Sequence, residues 1–181
     1  MMTMSLALSA LSTPLAAQGK ITVGLAATLG EGWQIEGADL GIVRPLALGP
    51  MKYWTAVARV GSFTDQGSFI GGQRGVLGAL ALGLRTGSVT VAELGNDPDI
   101  SRISFDVTVE AAGYVAANSP IPQGPRWMSA ALLPTLRYGD PEQTQFTLLL
   151  GPMAFFGRGV DVRVFLGVRA EVPLTRGGRA P

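Results

Sequence analysis

A chain of 181 residues with 47% hydrophobic and only 15% charged residues is too apolar for disorder and too poor in charge for the usual surface of a water-soluble domain. Its net charge of +1, without any basic run, excludes an electrostatic footprint for nucleic acid. Cysteine and histidine are both absent, which excludes disulfides, His/Cys metal centres and triads that rely on either residue.

Residues 1–17 carry no charge and run from a Leu/Ala/Ser core through Pro14 to the small residues Ala16 and Ala17. This is the pattern of a secretory signal peptide cleaved near Ala17, although no Lys or Arg precedes the apolar core. Residues 18–175 then form one domain, and residues 176–181 a C-terminal tail. No later apolar run approaches the ~20 residues of a transmembrane helix.

The domain reads as strands, because apolar residues recur with period two and Gly/Pro turns punctuate them. In the first strand Ile21, Val23, Leu25, Ala27 and Leu29 alternate with Lys20, Thr22 and Gly24. In the second, from Trp33 to Val43, the apolar phase changes between Trp33/Ile35 and Ala38/Leu40/Ile42. A β-bulge near Gly37 is the expected remedy, and it would leave Gln34, Glu36, Asp39 and Gly41 on one face. The third sets Trp54, Ala56, Ala58 and Val60 against Tyr53, Thr55, Val57 and Arg59, and a polar loop over 62–75 follows.

The fourth strand opposes Val76, Leu80, Leu82 and Leu84 to Ala79, Ala81, Gly83 and Arg85. Residues 88–94 look extended and are the candidate for a ninth strand, before Asp97 and Asp99 break the pattern. Next, Ile103, Phe105, Val107, Val109 and Ala111 alternate with Arg102, Ser104, Asp106, Thr108 and Glu110. A loop over 117–126 leads to Ala130, Leu132, Leu136 and Tyr138 opposite Thr135 and Arg137, and then to Phe146, Leu148 and Leu150. The last strand, residues 160–174, places Val or Leu at most even positions and Asp161, Arg163, Arg169 and Glu171 at odd ones. Pro134 and Pro152 fall inside strands, where each removes a ladder hydrogen bond.

The expected fold is therefore all-β, a closed antiparallel up-and-down barrel of about eight strands. Which face is wet follows from the non-apolar residues. A soluble barrel would show Lys, Glu and Gln there, whereas these faces carry Gly, Ala, Ser and Thr with single charges, as suits a crowded lumen. The apolar faces suit a lipid-facing band. Fifteen residues at ~3.3 Å and a ~40° tilt span roughly 38 Å, enough to cross it. Trp33, Trp54 and Tyr138 are the candidate interfacial girdle, and Lys52 can snorkel at the rim.

The inward candidates are Lys20, Arg59, Arg85, Arg102, Arg137, Arg163 and Arg169 against Glu36, Asp39, Asp106, Glu110, Asp161 and Glu171. They are expected to neutralise one another and to close the lumen to ions. Lys20 and Glu171 are expected to be neighbours across the seam between the first and last strands.

This arrangement of a signal peptide, eight alternating strands and short turns alternating with longer loops resembles the small eight-stranded outer-membrane β-barrels of Gram-negative bacteria, the OmpA/OmpX-like type. The resemblance implies an integral outer-membrane protein in contact with lipid. The alternative is a soluble exported barrel of lipocalin type holding an apolar small molecule.

Enzymatic barrels of the outer membrane mostly use a histidine as general base, so an enzyme is not expected here. Asp97 with Asp99 reads as an Asp/Pro turn before a calcium site. Gly71, Gly72 and Gly75 lack the ending and the following helix of a phosphate loop. No metal and no cofactor is expected.

Overall fold

The computed structural model describes residues 19–65, 75–95, 101–117 and 124–174. The signal-peptide segment, the C-terminal tail, Gly71, Gly72, Asp97 and Asp99 lie outside the described residues. Among the described residues there are nine strands: β1 (Lys20–Leu29), β2 (Trp33–Leu48), β3 (Met51–Asp65), β4 (Gly75–Thr86), β5 (Val89–Leu94), β6 (Ser101–Ala117), β7 (Arg126–Tyr138), β8 (Gln145–Phe156) and β9 (Val160–Pro173).

Eight of them close a ring. Each strand pairs antiparallel with its sequence neighbour, β1 pairs with β9, and β4 skips β5 to pair with β6. The remaining strand, β5, corresponds to the candidate at 88–94. It pairs only with the start of β6, over Ser101 to Phe105, and every one of its residues is exposed. It is a flap bonded outside the ring. The polar segment expected over 62–75 is shorter, since β3 continues to Asp65 and β4 starts at Gly75.

Alternation fixes the two surfaces of the wall. In β9, Val162, Val164, Val168 and Val172 point out and are exposed, while Arg163, Phe165, Arg169 and Glu171 point in and are buried. In β4, Leu80, Leu82 and Leu84 point out, over an inner row of Leu77, Ala79, Ala81, Gly83 and Arg85. Hairpin turns of two to six residues join several strands at either end, such as Gly49–Pro50, where Gly49 takes a positive φ of 55°.

In β2 the structure corrects the expectation. No bulge occurs at Gly37: the pairing of β2 with β1 and with β3 runs without a shift from Ile35 to Val43, and the one irregularity falls between Pro45 and Leu48. The parity of Asp39 therefore extends back to the start of the strand. Trp33, Ile35 and Gly37 face inward, and Gln34 and Glu36 take the outer parity, although Gln34 is itself buried. Glu36 borders an outer groove with Leu25, Ala27, Leu166 and Val168, and it accepts a hydrogen bond from Gln34 Nε2 at 2.7 Å. Gly37 lies opposite Gly61, and a side chain on either would collide with a carbonyl of the other strand.

Pro134 and Pro152 share one lesion. The β7–β8 ladder is interrupted between Ala131/Met153 and Thr135/Leu149, while Pro134 stays paired to Val107 and Pro152 to Val164 on their other sides. Both missing amides thus face the same seam. Two prolines cost the barrel one gap instead of two.

Candidate functional site: a charged and aromatic lumen

The inner faces fill the barrel in three layers. At the middle, Asp39 of β2 accepts from Arg59 Nε at 3.1 Å and from Arg169 Nη2 at 2.6 Å. Arg59 also grips Glu110 with both terminal nitrogens, at 2.6 and 2.9 Å. Two guanidiniums and two carboxylates balance. The register builds this row, since Gly24 of β1 stands directly between Arg169 and Asp39, and Asp39 directly opposite Arg59. Small residues of β4, Ala79, Ala81 and Gly83, line the wall between Arg59 on β3 and Glu110 on β6. The Arg59 guanidinium also lies 4.9 Å from the Phe165 ring centroid.

The layer near the chain ends, here the basal layer, is built around Glu171. Arg85 Nη1 is 3.0 Å and Arg137 Nη1 2.6 Å from Glu171 Oε1, and Lys20 Nζ is 4.0 Å from Oε2. Lys20 also donates to Gln145 Oε1 at 2.6 Å. Arg137 is paired with Asp106, and Ser88 Oγ lies 3.2 Å from the same carboxylate. Arg85 stacks over Tyr53, 4.3 Å from its ring centroid, as their direct cross-strand pairing dictates.

The opposite layer is aromatic. Tyr114 and Trp127 stack at 5.1 Å with planes 9° apart, and Phe63, Phe155 and Trp33 pack around them with centroids 5.7–6.5 Å apart. Arg163 caps the group with its guanidinium 3.4 Å from the Trp33 ring centroid. It also donates to Asp161, at 2.9 Å, and to the carbonyls of Trp33 and Glu31. A void among Ala26, Asp39, Arg59, Tyr114 and Phe165 has room for about 20 Å³, about one water molecule.

Eleven residues foreseen as lumen charges therefore meet inside: Lys20, Asp39, Arg59, Arg85, Asp106, Glu110, Arg137, Asp161, Arg163, Arg169 and Glu171. Two do not. Glu36 is on the outer wall because β2 keeps its register, and Arg102 stands exposed at the basal mouth, where β5 draws it into a pair with Glu93 at 3.1 Å. Of the girdle candidates, Trp54 and Tyr138 lie on the outer face, and Trp33 is a lumen residue.

The aromatic layer escaped the sequence reading, which looked inward only for charge. The signal was parity. Phe63 shares the phase of Arg59, Tyr114 that of Glu110, Trp127 that of Arg137, and Phe155 lies opposite Asp161.

Among the described residues no cluster of three or more Asp or Glu is placed to hold a metal ion. Comparison with family models, with curated proteins and with solved structures finds nothing that matches this chain.

Proposed function

We propose that the chain is an integral outer-membrane β-barrel, exported by its N-terminal signal peptide, with a structural or interaction role and a lumen plugged by its own side chains. One observation carries the reading: the wall is inverted relative to a protein that folds in water. Leu25, Leu80 and Leu82 are 70%, 73% and 67% exposed, whereas Asp39, Asp106 and Glu110 are 1–2% exposed. A soluble monomer rarely exposes a continuous apolar patch above a few hundred Å², and here exposed large apolar side chains, mostly Val and Leu, recur on all eight strands of the ring. Lipid satisfies that surface, and closure of the ring leaves no unpaired edge within it. Trp54 and Tyr138 fit the interfacial level and Lys52, exposed beside the Gly49–Pro50 turn, the water beyond it.

Fractionation of cells expressing the full-length chain tests this. The protein is expected in the membrane pellet, extracted only by detergent, and to migrate differently on a gel before and after boiling. Release by osmotic shock without detergent would overturn the reading in favour of a soluble exported barrel that holds an apolar molecule.

A further inference from the structure

The three layers differ in charge. The middle layer balances Arg59 and Arg169 against Asp39 and Glu110, and the aromatic layer balances Arg163 against Asp161. In the basal layer the buried groups Lys20, Arg85 and Arg137 share Asp106 and Glu171, one negative charge short, and the further carboxylate that acts on Lys20, Asp140, is only partly buried. A net positive charge held out of bulk water calls for a counter-charge.

A space for one exists beside it. A recess of about 350 Å³ opens at the basal mouth, lined by Lys20, Arg85, Ser88, Thr90, Ser104 and Gln145 among others. Its size falls at the lower end of the roughly 300–1,000 Å³ of small-molecule sites. Arg85 spends Nη1 on both oxygens of Glu171, yet its Nε is buried without any hydrogen-bond partner, in a residue only 4% exposed. A guanidinium with an orphaned buried donor is a costly thing to keep unless something accepts from that side of it. At the rim Arg102, paired with Glu93, and Glu142 also line the recess; Glu142 is exposed and Asp140 only partly buried, so solvent screens both carboxylates more than the buried cations.

We propose that the basal recess binds an oxyanion carried by a small polar molecule, with a phosphomonoester as the best-fitting class. Lys20 and Arg85 supply the charge, the hydroxyls of Thr90 and Ser104 supply neutral donors, Ser88 being already engaged with Asp106, and the remaining volume takes the carrier. The β5 flap gives the site one wall through Thr90. That explains why a strand with no buried face is held against the mouth at all. The site is independent of whether lipid or water covers the outer wall.

The test uses the full chain, refolded in an uncharged detergent or kept in buffer, titrated calorimetrically with inorganic phosphate and with glycerol 1-phosphate. A separate arm adds short-chain phosphatidylglycerol to mixed micelles, so that a lipid headgroup is told apart from a free phosphate. Saturable binding of inorganic phosphate or glycerol 1-phosphate, weakened by added salt, is the expected result, and binding of phosphatidylglycerol alone would overturn the proposal in favour of a lipid headgroup. Lys20→Gln, at the edge of the layer, is expected to fold and to weaken binding roughly ten- to hundredfold, the worth of one charge-assisted hydrogen bond. Arg85→Gln serves as the second variant with the same expectation, its fold checked by gel migration or circular dichroism. Absence of binding in all three arms overturns the proposal, and so does binding that Lys20→Gln and a folded Arg85→Gln leave unchanged. Binding that appears only in an Asp140→Asn/Glu142→Gln chain also overturns it, since the counter-charge would then be the chain's own.

Discussion

Arg169 and Asp39 meet at 2.6 Å although they belong to strands that are not neighbours; β1 runs between them, and the residue it places in that row is Gly24. Any side chain at Gly24 would collide with the stem of Arg169 and the backbone beneath it. The contact therefore depends on a missing Cβ. Gly24→Leu is expected to destabilise the barrel about as much as Asp39→Ala, which strands Arg169 as an uncompensated charge at a cost of about 3–5 kcal/mol. Because both sever one contact, the double variant is expected to fall well short of the sum. Urea unfolding of the four proteins in a double-mutant cycle checks this, and strict additivity would refute the Gly24 role.

Glu171 and Lys20 form an unequal pair. Lys20 has Gln145 as a second partner and sits near the mouth, so Lys20→Gln is expected to change stability by about 0–1 kcal/mol. Glu171→Gln leaves Arg85 and Arg137 facing each other without their shared carboxylate, and about 3–5 kcal/mol is expected to be lost. Equal effects at the two positions in the same unfolding experiment would count against the layered arrangement.

The outer wall makes a prediction that differs in magnitude between its two readings. Leu80, 73% exposed on β4, is expected to resist charge if it faces lipid, with Leu80→Arg costing about 2–4 kcal/mol in bilayers. In water the same change would be near neutral. Unfolding from phospholipid vesicles, compared with the Val91→Arg control on the β5 flap outside the ring, distinguishes them.

The shared gap between Pro134 and Pro152 has a consequence for hydrogen exchange. Within β7 and β8 the amides of Leu132 and Leu150 face the broken stretch of the seam, and Ala130 and Leu148 face intact ladder on either side. Faster exchange is expected at Leu132 and Leu150 than at Ala130 and Leu148. Equal protection at all four sites would show that the strands stay bonded through the prolines.

Conduction is the remaining test. Aromatic side chains at one level and paired charges at two others occupy the lumen, so the wild-type protein in planar bilayers is expected to give no steady single-channel current. Stable open events at moderate voltage would require a path that these side chains do not leave.

Much of this molecule was legible in the sequence because its strongest pattern is local. Period-two alternation assigned the ring strands, the outward Val/Leu face of β9 and the pairing of the first and last strands without any knowledge of partners. The parity of single charges gave eleven of the inner groups. Tertiary structure alone decided three things. The phase of β2 was ambiguous because Trp33 and Ile35 are apolar yet point inward; only continuous pairing with β1 and β3 keeps them there and puts Glu36 outside. Which charges meet depends on stagger around the ring, which sets Arg59 against Glu110 and gathers Arg85 and Arg137 on Glu171, a property no single strand encodes. The separation of the ninth strand from the ring followed because β4 reaches β6 directly along its length, so β5 finds room only at the mouth.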